Sequence, residues 1–298
     1  MAVFNFGSIN IDHVYAVEHF VAPGETLSSS SYRAILGGKG ANQSIACAKA
    51  GITTFHVGSI NQNDAAMLRP MIDANVNMQF VSKQTELASG HAIIQVNAQG
   101  ENAIILFPGA NHSLTDKCIN EVLSQANPED WVLLQNETNH VDKVIDLAYA
   151  AKVKIAFNPA PMTNAVNDLP LDKISLLIVN EVEAMQLTGA KTVELAKQAL
   201  LEISNNTDVL LTLGKQGVIY LRQQQEVRVS AFNVKAIDTT AAGDTFIGYF
   251  LAHFAKHTNI EHALRLACAA SAIGVTREGA APSIPSLDEV EQFLQNHS

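Results

Sequence analysis

Basic residues are scarce in this chain: 19 Lys and Arg stand against 29 Asp and Glu, a formal charge of -10 at pH 7. Such a surface repels a phosphate backbone, which argues against a nucleic-acid partner. An anionic small molecule can bind only where a few cations, oriented backbone amides or metal ions overturn that field locally, so any phosphate site should be glycine-rich. Cysteine is scarce too. Cys47, Cys118 and Cys268 are far apart and odd in number, with no paired spacing for zinc or a redox motif, and read as reduced, buried thiols. Long apolar runs are missing, so no membrane span is expected. The opening MAVFNFGSIN has neither a basic stretch nor a long apolar one. A cytoplasmic protein is therefore expected, and the Asn-x-Ser/Thr matches at Asn42, Asn111, Asn136 and Asn205 carry no glycosylation meaning. Internal repeats and low-complexity tracts are also absent.

What the chain does have is apolar material, 47% hydrophobic against 16% charged over 298 residues. That suits one large α/β domain with a small one appended. Runs at Val3 to Phe6, Trp131 to Gln135, Ile155 to Asn158, Leu176 to Asn180 and Val209 to Leu213 read as strands buried on both faces. Between them, Ala41 to Ala50, Val141 to Ala151 and Glu181 to Thr188 read as helices, the first and last stopped by Gly51 and Gly189. Strand alternating with helix predicts a parallel sheet flanked by helices. Two segments break the rhythm. His91 to Val96 and Asn102 to Phe107 read as a β-hairpin around Asn97 to Gly100, and Asp12 to Ile35 suits extended edge strands. Together they predict a small projecting sheet. The last third reads as helices at Gly243 to His257, Ile260 to Gly274 and Leu287 to Gln295, with a Thr276 to Pro285 loop.

Asp238 to Phe246, DTTAAGDTF, places small residues just before a long helix, where free N–H groups and the positive end of the helix dipole bind phosphate. Ala241, Ala242 and Gly243 let an anion approach the backbone. Asp244 follows in the first turn, where a carboxylate next to a phosphate site is costly unless it serves as a base. An isolated Asp there would simply cap the helix. Gly37 to Asn42, GGKGAN, opens another helix and supplies backbone that a ligand can approach closely. It is not a Walker A motif, since Lys39 precedes Gly40 and Arg33 replaces the first glycine, nor a Rossmann fingerprint, since Gln43 takes the third glycine position. On its own it is equally a glycine turn. Asn10 and Asp12, in Ser8 to His13, fall beyond the first strand with their side chains on one side, an amide and a carboxylate able to bind vicinal hydroxyls. Alone, Asp12 is equally a turn residue.

GGKGAN at 37 to 42, DTTAAGDTF at 238 to 246, NEVE at 180 to 183 and SINIDH at 8 to 13 together resemble the ribokinase family of carbohydrate kinases, from the first strand to the Arg277 to Ser283 loop. The resemblance implies a three-layer Rossmann-like parallel sheet core at 1–11, 36–87 and 111–298, with a β-sheet lid at 12–35 and 88–110. It implies ATP-dependent phosphorylation of D-ribose at its 5-hydroxyl, giving ribose 5-phosphate, with Asp244 as general base and an anion hole at Ala241, Ala242 and Gly243. The sugar would be held by Asn10, Asp12, Gly38, Lys39, Asn42 and Glu137, and the nucleotide by Asn180, Thr212, Gly214, Gly217 and Gly243. Glu183 would serve magnesium. Asp238, Thr240, Gly274, Arg277, Gly279 and Ser283 would surround potassium. A homodimer through the lid sheets is implied as well. The chain departs from the family at Asn61 to Ala66, which lacks the usual glycines, and at Cys268, where a histidine near the adenine would be usual. A kinase of deoxyribose, another sugar or a nucleoside, or a non-catalytic sugar or nucleotide binder, stand as alternatives. Asn10 argues against a deoxy sugar, because a site built on hydrogen bonds leaves polar groups unpaired when the hydroxyl is missing.

Overall fold

The computed structural model describes residues 1–256 and 259–297. In chain order the elements are β1 (Ala2–Phe6), β2 (Asn10–Ala16), β3 (Ser31–Gly37), α1 (Lys39–Lys49), β4 (Thr53–Asn61), α2 (Arg69–Asp73), β5 (Asn77–Gln84), β6 (Gly90–Val96), β7 (Asn102–Phe107), α3 (Asp116–Leu123) and β8 (Trp131–Gln135). There follow α4 (Val141–Ala150), β9 (Lys154–Asn158), β10 (Leu176–Asn180), α5 (Glu181–Thr188), α6 (Val193–Ile203), β11 (Asp208–Thr212), β12 (Val218–Arg222), β13 (Gln225–Val229), α7 (Ala242–Ala255), α8 (Ile260–Gly274) and α9 (Leu287–Asn296). His257, the expected end of the long helix, lies outside the described residues; α7 closes at Ala255.

Nine strands form the main sheet in the order β13-β12-β11-β10-β9-β8-β1-β4-β5. Strands β5 through β11 in that row are parallel, as the buried apolar runs require. The antiparallel pairings of β12 with β11 and with β13 make the sheet mixed at one edge. Because successive strand residues face opposite sides, the sheet feeds two separate cores. Val3, Leu133 and Ile178 join one with residues of α1, α7 and α8, whereas Phe4, Leu134 and Val179 join the other with residues of α3, α4 and α6. The result is three layers, helix on sheet on helix.

The second sheet has four strands in the order β3-β2-β6-β7. The expected hairpin forms between β6 and β7, with Val96 opposite Asn102. Asp12 to Ile35 differs from an all-edge reading: β2 is interior, paired with β3 on one side and β6 on the other, and only β3 lies at an edge. In the main sheet the chain moves to one side of β1 for β4 and β5 and to the other for β8 onward. Such a reversal leaves a crevice at the carboxyl ends of the strands, where ligands bind in this architecture.

Candidate active site

Helices α1 and α7 lie side by side, and both begin without a side-chain cap. Elsewhere Asn180, Thr192, Asn259 and Ser286 accept hydrogen bonds at the starts of α5, α6, α8 and α9. At α1 the first N–H groups are already taken, that of Lys39 by Glu137, that of Gly40 by the Ser8 hydroxyl and that of Ala41 by the Ser8 carbonyl. The dipole end open to an anion is therefore that of α7, where the Ala242 N–H donates to the Thr239 carbonyl at 3.2 Å. Ala241, which precedes α7, has φ 59, a left-handed conformation that a residue with a Cβ adopts at some cost.

Asp244 is buried in the first turn of α7. Its Oδ2 accepts a hydrogen bond from Asn42 Nδ2 at 3.0 Å and its Oδ1 one from Gln43 Nε2 at 2.9 Å, both from α1. Asn42 Oδ1 is buried with no partner. A buried amide oxygen left bare next to a carboxylate suits a ligand hydroxyl, since an unmet acceptor there is costly.

The rest of the cluster assembles around the end of β1 and the loop after β8. Glu137 accepts hydrogen bonds from the Ser8 hydroxyl and from the backbone N–H of Lys39, the latter at 3.1 Å. Burial pushes the Glu137 carboxyl up, opposed by the Lys39 ammonium and the Ser8 hydroxyl. Lys39 is held more firmly charged than an ordinary lysine, first by Asp244, against the effect of burial, and then by Glu137 and Glu183. Asp12, on β2, is pushed up to about 6 by burial and by the charge of Glu137. Asn10 accepts a hydrogen bond from Asn111 Nδ2 at 2.7 Å, which turns its own NH2 group toward other acceptors.

Two glycines of the GGKGAN segment are explained by close approach. A Cβ on Gly37 would sit 2.0 Å from Asp12 Oδ2, and one on Gly40 would sit 2.3 Å from the Ser8 backbone nitrogen. Gly37 lets the end of β3 lie close on Asp12 of β2, and Gly40 lets α1 dock against the backbone that follows β1, so Asn10, Asp12, Gly38, Lys39, Asn42, Glu137, Asp244 and the start of α7 form one cluster.

Glu183 is joined to that cluster through the charge of Lys39. It also closes a capping box with Asn180, accepting the Asn180 backbone N–H at 3.0 Å. Thr212 lies opposite Asn180 in the β10–β11 register, and Gly214 follows in the next turn. Gly217 has a structural reason of its own, because a Cβ there would meet the Val229 carbonyl oxygen at 2.1 Å. Asp238 gathers Thr240 and Gly279: it accepts the Thr240 N–H at 2.9 Å, the Thr240 hydroxyl at 2.6 Å and the Gly279 N–H at 2.9 Å. Burial raises the Asp238 carboxyl, but these bonds outweigh it and hold the group below its ordinary value. Gly274 packs near Ser283 and the Thr245 hydroxyl, and that hydroxyl is buried without a partner. The Arg277 guanidinium turns instead to Glu289, at 2.6 Å.

With that geometry in place, the chain can be set beside known proteins. The profile of the pfkB family carbohydrate kinases matches residues 2–287. A ribokinase of Staphylococcus aureus is 36% identical, over 96% of this chain and 97% of its own, and one of Haemophilus influenzae is 34% identical, over 97% of each. The structure of Arabidopsis thaliana ribokinase complexed with ribose and ATP superposes with a TM-score of 0.89 at 30% identity, covering 99% of both chains.

The chain belongs to the pfkB family of carbohydrate kinases.

For a pfkB-family kinase, the residues that sequence reasoning left out are as informative as those it named. Gln43, Gln135, Ser8 and Asn111 all contact the cluster, directly or through one neighbour. A signal existed for Gln135: it ends the apolar strand WVLLQ yet is fully buried, and a buried amide needs partners. Cys268 is buried on α8, where desolvation pushes its thiol up to about 12. Among the described residues no helix is long and apolar enough to cross a membrane.

Proposed function

We propose that this pfkB-family kinase transfers the terminal phosphate of ATP to the 5-hydroxyl of D-ribose. Asn10, Asp12, Gly38, Lys39, Asn42 and Glu137 hold the sugar, with Asp12 and Glu137 as hydroxyl acceptors and Lys39 as donor. Asp244 takes the proton of the 5-hydroxyl as that oxygen attacks phosphorus. The N–H groups at Ala241, Ala242 and Gly243 stabilise charge on the transferred group. Asn180, Thr212, Gly214 and Gly217 lie on the nucleotide side, at the carboxyl ends of β10 and β11. The observation that carries this reading is Asp244 itself, a buried carboxylate in the first turn of an uncapped helix, with an unpartnered amide oxygen beside it.

Metal chemistry fits the oxygen donors available. Glu183 offers a carboxylate of the kind magnesium takes together with water and phosphate oxygens, and the bound ion would offset phosphate charge. Asp238, the unpartnered Thr245 hydroxyl and the backbone around Gly274, Arg277, Gly279 and Ser283, with Thr240 bracing Asp238, offer an oxygen-only setting suited to potassium.

The small sheet, whose strands fall at 10–37 and 90–107 rather than wholly within 12–35 and 88–110, acts as a lid on the core and as the dimer surface. Ile104, Ile105, Leu106 and Phe107 on edge strand β7 are all exposed, and an unpaired apolar edge invites pairing with a second copy. The reading is tested with pentoses, deoxypentoses, hexoses and nucleosides assayed for ADP release, with and without potassium. Ribose should have the highest kcat/KM and potassium should raise it; a deoxypentose or nucleoside in first place would overturn the substrate assignment.

A further inference from the structure

The main sheet carries a polar line through its buried middle. Asn5 on β1, Gln43 and Ser44 on α1, His56 on β4 and Gln135 on β8 are all fully buried. Burying five polar side chains is costly unless each finds partners. Gln43 Nε2 donates to Asp244 Oδ1 at 2.9 Å, and Gln43 Oε1 accepts from Gln135 Nε2 at 2.7 Å. The same Gln135 nitrogen donates to Asn5 Oδ1 at 3.0 Å. Asn5 Nδ2 in turn donates to the Gly40 carbonyl and to Ser44 Oγ, each at 2.8 Å.

The two ends of this line fix its polarity. An ionised carboxylate and a backbone carbonyl can only accept. Asp244 at one end therefore demands the NH2 of Gln43, and Gly40 at the other demands the NH2 of Asn5. Both amides then present oxygens inward, and only a group with two donors on one atom can satisfy both. Gln135 is that group. Its own oxygen is left buried without a partner, so its orientation follows from what its neighbours need. Beyond Asn5, the Gly7 carbonyl can only accept, so His56 carries its proton on Nε2 and donates to it at 3.1 Å; Nδ1 of the neutral ring then accepts from the Ser44 hydroxyl at 2.8 Å. Burial lowers His56 to about 4, so it stays neutral at ordinary pH and can accept from Ser44.

We propose that Gln43 is a positioning residue for the base, and that Gln135 and Asn5 lock the Gln43 amide in the one orientation that donates to Asp244. Asn42 fixes one carboxylate oxygen and Gln43 the other, so the plane of the carboxylate is set by the floor of the sheet rather than by the substrate. The inference rests on the reading of Asp244 as general base. Gln43 touches no substrate in this account; it acts only through Asp244.

The test compares D244N, Q43M, Q135M and the Q43M/Q135M double variant. Methionine keeps the length of glutamine and removes its donors and acceptor. Single-turnover transfer is measured with ATP and ribose, alongside the ribose Kd by calorimetry and Tm. Misaiming a catalytic group costs roughly tenfold to a hundredfold in rate. Q43M should lose about that much transfer rate while the ribose Kd changes less than about threefold, and Q135M should lose less. In the double variant Q135M should add nothing, because its route to Asp244 has already been cut. Rates within about twofold of the parent for Q43M, with D244N inactive, would overturn the positioning role and leave the base assignment intact. So would losses that multiply in the double variant. An active D244N would instead remove the base reading itself. If Q43M does not fold, Q135M alone decides: a slowed transfer with the ribose Kd retained supports the relay, and an unchanged transfer contradicts it.

Discussion

At the residue scale, Asp12 illustrates how a group proposed to bind the sugar can work against the fold that holds it. Its carboxyl rises from 3.8 to about 6 through burial and the nearby charge of Glu137. The folded chain therefore holds that proton more tightly than the unfolded chain does. Its contribution to stability is fully present below pH 3.8 and is lost as pH rises through about 6. At pH 8 the ionised group is destabilising by something on the order of 2 kcal/mol, allowing for its partial exposure. D12N should thus raise Tm at pH 8 and raise it by only about half as much at pH 5, while weakening ribose binding at pH 8. In the parent enzyme ribose affinity should climb with pH through about 6, as the carboxylate becomes able to accept sugar hydroxyls. A Tm that falls in D12N at pH 8, followed by calorimetry, would contradict the assignment of a strained carboxylate. The spacing of Asn10 and Asp12 puts both on one side of β2, as an amide and a carboxylate proposed to bind hydroxyls, but does not give the cause of the Asp12 shift. That cause is first burial and then the charge of Glu137, which reaches the site from beyond β8.

At the element scale, the pairing of α1 with α7 is the joint on which the site depends. Sequence periodicity gave each helix separately, and the small residues ahead of α7 signalled an anion-receptive start. Their mutual contact was invisible, because nothing local in GGKGANQ or AAGDTF says that Asn42 and Gln43 meet Asp244 about two hundred positions away. The glycines were read as a place for a ligand to approach backbone; for Gly37 and Gly40 the backbone and side chains of β1 and β2 occupy that space. Gly40→Ala should therefore be costly whether or not ligand is present. Its Cβ would meet backbone atoms of Gly7 and Ser8 at 2.3 to 2.4 Å, and such overpacking typically costs about 1–3 kcal/mol. Urea denaturation of the unliganded protein checks it. Equal stability in the variant would mean that α1 can move away from β1 freely. Ala241→Gly, by contrast, should keep or slightly raise stability, because the left-handed conformation at φ 59 is one that glycine adopts without strain.

At the scale of the whole molecule, the alternation of apolar runs with helical patterns was enough to anticipate a three-layer α/β core with a small second sheet. The antiparallel edge formed by β12 and β13 was not anticipated, since a short apolar strand carries no mark of its direction. Nor was the interior place of β2, because strand order depends on β6 returning from far along the chain. The exposed apolar edge of β7 predicts that sedimentation will find a dimer. Ile105→Lys, at the most exposed of those positions, 65%, should shift it toward monomer, and an unchanged sedimentation coefficient would place the interface elsewhere. The centre of the account is that Asp244 takes the proton while the other side chains hold the sugar. The most direct measurement is ribose-dependent ADP release by D244N, run beside a calorimetric titration of the same variant with ribose. Turnover should fall by roughly a thousandfold or more, with ribose binding within a few-fold of the parent. Turnover within a few-fold of the parent would contradict it.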